Sequence, residues 1–237
     1  MLKIVGAVLC MVMLLGVRPA LADSVDGQTT NQRGYGSKGY VWNGMTPEQV
    51  QVMQLSGDAA RGKQTYRHCQ GCHKADGVGR TDGIYPRLTG QHAVVLIKQI
   101  TDTRAGIRRN PKMQPFANEH AVSLQDIADI ATYLAQAQSS VANGKGDPTL
   151  VQAGAGLYDK LACADCHGAQ GQGDERKIYP VVAAQHNAYL LNEMMHIQAG
   201  ERGNAHPDMV KSIKGLPVTD LKALASYLSN LPDYRAR

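Results

Sequence analysis

A five-residue pattern that occurs twice sets the strongest limit on how this chain of 237 residues folds. Cys69-Gln-Gly-Cys72-His73 and Cys163-Ala-Asp-Cys166-His167 lie 94 residues apart, and the same offset relates residues well beyond them. From 62 to 110, 17 of 49 positions are identical to the position 94 residues later, far more than unrelated segments share. The chain is therefore a tandem duplication of one structural unit.

The duplication extends through glycine, proline and polar positions outside the cysteine motifs. The matched pairs include Gly62 and Gly156, Gly77 and Gly171, Gly79 and Gly173, Tyr85-Pro86 and Tyr179-Pro180, Gln91-His92 and Gln185-His186, and Arg108 and Arg202. Two extra residues in the second copy then bring Met209 opposite Met113, and the original offset returns at Tyr133 and Tyr227.

Helical periodicity dominates both copies. Apolar residues recur at helical spacing in the segments 93–101, 123–137, 188–199 and 219–231, and no segment alternates convincingly like a strand. Asp58 and Asp147 are candidate N-caps for helices that lead into the two motifs. The polar segment 138–148 is typical of a linker, so we predict an all-α fold with a domain boundary near residue 145.

The first 22 residues have the organisation of a secretory signal peptide. Lys3 precedes an apolar stretch, and Ala20-Leu21-Ala22 matches the small-residue pattern of a cleavage site. The apolar stretch is shorter than the roughly 20 residues of a spanning helix, although a retained anchor is the alternative. Cleavage would remove Cys10, so we expect a periplasmic protein with four cysteines. The net charge of +5 comes from scattered basic residues, which argues against a nucleic-acid partner.

Cys-x-x-Cys-His is the attachment signature of c-type haem, with two thiols for thioether bonds and a histidine beneath the iron. A redox dithiol, a disulfide and a zinc knuckle are the alternatives, but none of them accounts for both the following histidine and the duplication. We therefore predict two covalently bound haem c groups. Their rings would also compensate for a core with one Phe and one Trp.

A second axial ligand for each iron is needed for six-coordination. Met113 is the one methionine between Gly62 and Gln138, and Met209 occupies the equivalent place, in a stretch expected to be poor in helix. Met194 and Met195 fall in a helical segment and are interpreted as core residues. The repeated pair His92 and His186 leaves bis-histidine ligation open, although both follow Gln at a helix start, where exposed or capping residues are common.

Four further residues are candidates for supporting roles. Pro86 and Pro180 follow the motifs at matching distance and could offer a carbonyl to the second N–H of each ligating histidine; ordinary turn prolines are the alternative. Arg108 and Arg202 could pair with haem propionates, and exposed loop arginines are the alternative.

The two motifs, the repeated Tyr-Pro, the Gly-x-Arg segments and the downstream methionines resemble the dihaem cytochrome c4 family over residues 57–233. The resemblance implies two class I cytochrome c domains related by a pseudo-twofold axis, with the haems close across their interface. It implies haem attachment through the four motif cysteines and iron ligation by four residues. These ligands are His73, Met113, His167 and Met209.

The same resemblance implies a function. The protein would carry electrons, one per haem, from a respiratory donor such as a cytochrome complex or copper protein to a terminal oxidase, with loose association with the membrane in some cases. Histidine–methionine ligation leaves no open iron position, and no catalytic motif is apparent, so we expect no enzyme activity. The alternatives are a dihaem redox enzyme of peroxidase or thiosulfate-oxidising type, and a fixed electron-transfer subunit of a periplasmic dehydrogenase.

The predicted division of the chain is a signal peptide over 1–22, an N-terminal extension over 23–56, domain 1 over 57–144 and domain 2 over 145–237. The extension is not needed by the repeat, although Thr46-Pro47-Glu48 indicates a short helix. We expect a flexible leader that packs partly on a domain; the alternative hypothesis is that Tyr35, Tyr40 and the single Trp42 form part of a partner-docking or interdomain surface.

Overall fold

A computed structural model describes residues 44–138 and 141–233. We refer to residues 44–138 as domain 1, to residues 147–233 as domain 2 and to residues 141–146 as the linker. The predicted signal peptide and the aromatic residues Tyr35, Tyr40 and Trp42 lie outside them. The α-helices of the described ranges are α1 (Pro47–Gln54), α2 (Ala59–Thr65), α3 (Gln70–His73), α4 (Ala93–Arg104), α5 (Gln114–Ala117), α6 (Leu124–Gln136), α7 (Val151–Lys160), α8 (Ala164–His167), α9 (Asn187–Gln198), α10 (Pro207–Ile213) and α11 (Val218–Asn230).

Short 3₁₀ segments and one isolated β-bridge, between Asp174 and Tyr179, complete the regular structure of the described residues. The predicted all-α tandem fold is confirmed. None of the helices in these ranges is long and apolar enough to cross a membrane.

A crossing of two helices organises each domain: α2 packs against α6, and α7 packs against α11. The backbones touch at one glycine in each crossing. A Cβ atom on Gly62 would lie 2.0 Å from the Asp129 carbonyl oxygen, and one on Gly154 would lie 2.1 Å from that of Ala223. Any larger residue would push the helices apart, so these glycines fix how closely the helices approach.

The alignment of Gly62 with Gly156 predicted from the repeat is therefore wrong. A Cβ on Gly156 would have no atom of the described residues within 4 Å outside its own helix, and the structural role is taken by Gly154. The cause lies just before the second motif. In domain 1, the Cys69 N–H bonds to the Tyr66 carbonyl, whereas the Cys163 N–H bonds to the Tyr158 carbonyl, five residues back. Two extra residues lengthen this turn in domain 2. The residues of α7 before the turn therefore correspond to those of α2 at an offset of 92 residues rather than 94.

The tyrosine that supports each motif shows the same shift. The Tyr66 hydroxyl donates to the Lys74 carbonyl at 3.1 Å, and the Tyr158 hydroxyl donates to the Gly168 carbonyl at 2.7 Å. Each ring also packs against the tyrosine of the last helix of its domain, with centroids 5.6 Å apart for Tyr66 and Tyr133 and 5.3 Å for Tyr158 and Tyr227. The hydroxyl of a buried tyrosine thus holds the residue that follows each motif histidine.

Helix α1 packs on domain 1, although residues 47–54 belong to the predicted N-terminal extension. Thr46 and Gln49 form a capping box at its start. Val52 is fully buried in the domain 1 core, and the Gln49 side chain donates to Asp102 at 2.8 Å. This part of the extension therefore contributes to the folded domain.

The predicted linker runs along domain 2. The Asn143 side chain donates to the carbonyl oxygens of Gln185 and Ser229, and the Gly144 N–H donates to the ring of His186. Residues 143–146 are thereby fixed to domain 2, so the predicted boundary near residue 145 falls inside an ordered segment.

Candidate haem-binding sites

Each cysteine motif forms a single helical turn, α3 or α8, that ends at the histidine. The residue after the histidine reverses the chain with positive φ: 68° at Lys74 and 75° at Gly168. The chain then returns so that Gly79 donates to the His73 carbonyl at 3.0 Å and Gly173 donates to that of His167 at 2.8 Å. A Cβ on Gly79 would lie 2.3 Å from the Pro86 carbonyl oxygen, so glycine lets the proline loop come close beneath the histidine.

The proline loop presents a carbonyl to each motif histidine. Nδ1 of His73 lies 3.4 Å from the Pro86 oxygen, and Nδ1 of His167 lies 3.1 Å from the Pro180 oxygen. Burial lowers the pKa of both histidines, so the imidazoles are neutral and Nδ1–H is the donor in this arrangement. Nε2 of each ring then keeps its lone pair for a metal ion.

The four motif cysteines are half-buried, and none of them is paired in a disulfide. Burial raises the pKa of Cys69 and of Cys163 to about 11, which keeps both thiols protonated at neutral pH. The tyrosines of the repeated Tyr-Pro lie beside the other thiols, Tyr85 next to Cys72 and Tyr179 next to Cys166. In the described residues, no group of three or more His, Cys, Asp or Glu is arranged to hold a metal ion by itself.

The candidate methionines lie at helix starts. Met113 is the N-cap residue of α5, and Met209 lies in the first turn of α10. The expectation that Met209 lies in a stretch poor in helix is wrong, because Pro207 begins α10. Met194 is buried in the domain 2 core as predicted, whereas Met195 is 40 % exposed.

The repeated histidines both contact the opposite domain; His186 is buried and His92 is half-buried. His92 and His186 precede α4 and α9 as predicted, but each Nε2 contacts a carbonyl of the other domain. The distances are 2.9 Å from His92 to the Gln172 oxygen and 2.6 Å from His186 to the Val78 oxygen. These contacts engage the Nε2 nitrogens, so the structure offers no support for bis-histidine ligation.

The adjacent glutamines bridge the two domains in the same reciprocal way. The side-chain amide of Gln91 accepts from the Val181 N–H and donates to the Val181 carbonyl, both at 2.9 Å. Gln185 makes the same pair of bonds with the Arg87 backbone, both at 2.8 Å. We call these the two amide brackets. Both the donors and their targets are related by the 94-residue offset, so the brackets follow a pseudo-twofold axis between the domains.

A mainly apolar cavity opens beside the domain 2 motif and continues across the domain boundary. Cys163, Cys166 and His167 line it together with Met209. Its wall also includes eight pairs of positions related by the repeat, one member from each domain. These pairs are Pro86 and Pro180, Arg87 and Val181, Leu88 and Val182, Gln91 and Gln185, Val95 and Tyr189, Leu96 and Leu190, Gln99 and Glu193, and Arg108 and Arg202.

These features fit a covalently attached haem. Two thiols and a neutral imidazole come from one helical turn, and the cavity they line is walled by apolar side chains and by a methionine from another element. A haem would supply one-electron redox chemistry there, while the protein supplies ligands and a dry environment.

Arg108 and Arg202 meet at the domain boundary rather than in exposed loops. Their side chains are 14 % and 20 % exposed, and both guanidinium groups contact Gln99 and Glu193. Arg108 donates to Gln99 at 2.9 Å and to Glu193 at 3.3 Å, while Arg202 donates to Glu193 at 2.6 Å and to Gln99 at 3.2 Å. Neither Gln99 nor Glu193 was predicted as a site residue, although the two are equivalent positions of the repeat.

The cytochrome c family model matches the chain twice, over residues 59–138 and 151–232. Cytochrome c4 of Azotobacter vinelandii is 32 % identical over 198 residues, covering 76 % of this chain and 92 % of its own length. Cytochrome c4 of Pseudomonas aeruginosa is 34 % identical over 189 residues with the same coverage. The chain belongs to the cytochrome c4 family. It therefore carries two covalent haem c groups and functions as a dihaem electron carrier, not as an enzyme.

Structural similarity supports the same assignment. The reduced recombinant cytochrome c4 from Pseudomonas stutzeri has a TM-score of 0.67 and 30 % sequence identity, and it covers 75 % of this chain and all of its own. A further relative is the thiosulfate dehydrogenase electron acceptor of Stutzerimonas stutzeri, 30 % identical over 76 % of this chain and 90 % of its own length. One relative is thus named for a particular electron donor.

Proposed function

We propose that this member of the cytochrome c4 family is a periplasmic shuttle in which each iron has histidine and methionine ligands. His73 and Met113 would ligate the iron of domain 1, and His167 and Met209 that of domain 2. Cys69 and Cys72, and Cys163 and Cys166, would hold the haems through thioether bonds. The observation that carries this proposal is that His167, whose Nδ1 is held at the Pro180 carbonyl, lines one cavity with Met209.

The supporting residues have matching tasks in this proposal. The carbonyls of Pro86 and Pro180 orient the histidine rings and increase their donor strength. Arg108 and Arg202, which line the cavity at the domain boundary, neutralise the haem propionates there. With two strong-field ligands on each iron, electrons pass one per haem by outer-sphere transfer and with little rearrangement.

Ligand assignment is tested by spectroscopy of the purified dihaem protein. We expect a near-infrared methionine-to-iron charge-transfer band from both oxidised haems and no reaction of the reduced protein with carbon monoxide. Met113→Ala and Met209→Ala should each remove about half of the band and open one haem to carbon monoxide. Met195→Ala, at an exposed position, is the matched control and should change neither. A wild-type protein that binds carbon monoxide readily would contradict the ligand assignment.

Export and partners require separate tests. The proposed cleavage after Ala22 predicts a mature N-terminus at Asp23 in protein recovered from the periplasm.

Electron transfer is proposed to run from a respiratory donor, a cytochrome complex or a copper protein, to a terminal oxidase, with loose membrane association. Stopped-flow oxidation by isolated membranes containing the oxidase should be fast and second-order, and oxidation no faster than in the absence of the membranes would contradict it.

A second candidate role is that of an electron acceptor fixed to a periplasmic dehydrogenase. The observation that favours it is the similarity to the thiosulfate dehydrogenase electron acceptor. Co-purification of the two proteins in a constant ratio would support a fixed subunit, whereas a freely separating protein that is reduced at a concentration-dependent rate supports the shuttle.

A further inference from the structure

The polar cluster at the domain boundary is symmetric in its arginines but not in their partners. Arg108 and Arg202 are equivalent in the repeat, and so are Gln99 on α4 and Glu193 on α9. Each partner accepts from both guanidinium groups, and each is closer to the arginine of its own domain. The contacts of these four side chains are therefore shared by the two domains, while the charge differs by one unit. The Tyr189 hydroxyl, which also accepts from Arg108 at 3.0 Å, has the apolar Val95 as its counterpart in domain 1.

Among the described residues, no other charge in the cluster cancels this difference. Domain 1 also contributes Lys98 and Asp102, which are almost fully buried and form an ion pair at 2.9 Å. That pair is neutral as a whole, and the Asp102 carboxylate also accepts from Gln49 and Asn204. Of the equivalent positions of domain 2, Asn192 is uncharged and His196 is exposed, although His196 is near enough to Glu193 to contribute to the lowered pKa of that carboxyl group.

Glu193 is ionised in this setting. Burial raises the pKa of this carboxyl group, but Arg202 and Arg108 outweigh the burial and hold the pKa below its usual value. A carboxylate that is 18 % exposed is poorly screened by solvent, so its field extends into the neighbouring cavity. Glu193 lines that cavity together with His167 and Met209.

We propose that Glu193 is a positioning residue that makes the two haems unequal: its carboxylate lowers the reduction potential of the domain 2 haem relative to the domain 1 haem. The physical reason is that oxidised haem carries one more positive charge than reduced haem, so a nearby buried carboxylate stabilises the oxidised form. Gln99 occupies the related position of domain 1 without that charge. This inference rests on the proposed dihaem electron-carrier function.

The test is a spectroelectrochemical titration of the holoprotein that resolves the two one-electron steps. Glu193→Gln keeps a carbonyl oxygen for both arginines and removes only the charge. We expect the domain 2 haem to become easier to reduce by about tenfold in its equilibrium constant, which is about 59 mV for a one-electron couple, with a smaller change in domain 1. Met113→His, which lowers the potential of the domain 1 haem alone, assigns the two steps.

A charge swap provides the matched comparison. Gln99→Glu with Glu193→Gln keeps the total charge and moves the carboxylate to domain 1, so the haem with the lowered potential should now be that of domain 1. Glu201→Gln removes a carboxylate that is 67 % exposed just beyond α9, and it should shift neither step. If the single variant does not assemble, the swapped protein still places one carboxylate between the arginines and tests the same inference.

The proposal is overturned if Glu193→Gln shifts neither potential, if it shifts both equally, or if the swapped protein keeps the wild-type order. A residue with only a structural role would alter unfolding and leave the potentials in place. The near-infrared band and the carbon monoxide reaction of the same samples report ligation. Loss of the band in the wild type would therefore count against the proposed function, whereas unchanged potentials with intact bands count against the role of Glu193.

Discussion

The side-chain amide of Gln91 forms two hydrogen bonds, both 2.9 Å long, with the backbone N–H and carbonyl of Val181 in the other domain. An amide with one donor and one acceptor side by side reproduces the hydrogen-bonding pattern of a neighbouring strand. Gln185 does the same to Arg87, so two short backbone segments are satisfied without any sheet. The stability of the two-domain arrangement should therefore depend on these two side chains.

Removing an amide bracket should weaken the docking of the domains. Gln91→Ala or Gln185→Ala removes two hydrogen bonds from a partly buried backbone N–H and carbonyl, at a cost of about 1–3 kcal/mol each. We expect guanidinium unfolding of the holoprotein to begin earlier and to separate into two transitions. Gln64→Ala, at an exposed position of α2, should leave the single transition within about 0.5 kcal/mol of wild type. Equal effects of all three substitutions would contradict the bracket interpretation.

Two glycines in one helix should respond oppositely to alanine. Gly154→Ala places a methyl group 2.1 Å from the Ala223 carbonyl and should destabilise the protein by about 1–3 kcal/mol, because α7 and α11 must move apart. Gly156→Ala meets open space and should stabilise the protein by about 0.5–1 kcal/mol through helix propensity. Thermal unfolding measures both, and a stabilising Gly154→Ala would refute the close approach of the helices.

Lys74 adopts a conformation that suits glycine. Its φ of 68° and ψ of 162° lie in a region that side chains strain to occupy, at a cost of about 1–3 kcal/mol. Lys74→Gly should therefore stabilise domain 1 by about 1 kcal/mol after the entropy cost of glycine is subtracted. The reverse comparison is available in domain 2, where Gly168→Ala should destabilise because φ is 75° and the added Cβ would meet the Gln172 side chain. Chemical unfolding measures both variants. A Lys74→Gly protein that is no more stable than wild type would contradict the interpretation that the backbone is strained at Lys74.

Lowering the pH should weaken the contacts that His186 of domain 2 makes with the linker and with domain 1. Its Nδ1 accepts from the Gly144 N–H and its Nε2 faces the Val78 carbonyl, so a neutral ring satisfies both and a protonated ring cannot. The net effect of the surroundings is to lower the pKa of His186. Burial is the main cause and Arg87 adds to it, while the Val78 carbonyl and Asp82 oppose them without cancelling them. A histidine whose pKa is lower in the folded than in the unfolded state stabilises fully above about pH 6.5, and this contribution falls as the pH drops below that value.

The measurement is the urea midpoint of the holoprotein from pH 8 to pH 5. Wild type should lose more stability over this range than His186→Gln, because glutamine can accept and donate without binding a proton. His120→Gln changes a side chain that is 90 % exposed and should leave the pH dependence as in wild type. Parallel curves for wild type and His186→Gln would contradict a role for this histidine.

Local signals in the sequence are sufficient to predict the helices and the attachment motifs. Helical spacing places α4, α6, α9 and α11 within a few residues, since each has a periodic apolar face that must be buried. The repeat also relates Gln91 to Gln185. It does not reveal that these glutamines bridge the domains, because a contact between segments about 90 residues apart leaves no periodic signal in either one.

Small insertions limit the rest of the prediction. The equivalence of Gly154 with Gly62, and of Tyr158 with Tyr66, is hidden because the turn before Cys163 is two residues longer, with Ala162 at a φ of 54°. Alignment at a constant offset therefore selects Gly156, which faces open space. The N-cap of α10 at His206 is likewise not predicted, since a lone histidine before Pro-Asp has no single structural meaning.

Each amide bracket bonds only to the backbone of the opposite domain. The bracket therefore does not depend on which side chain stands at its target position. Arg87 and Val181 are equivalent in the repeat yet chemically unlike, and Val78 and Gln172, the targets of the two histidines, are equally different. A duplicated gene can therefore diverge at these positions while its two halves keep docking symmetrically. The two Gln-His pairs must stay alike for the docking to persist, whereas their targets can differ in side chain: the buried Arg87 forms an ion pair with Asp233, and the equivalent Val181 is a buried apolar residue.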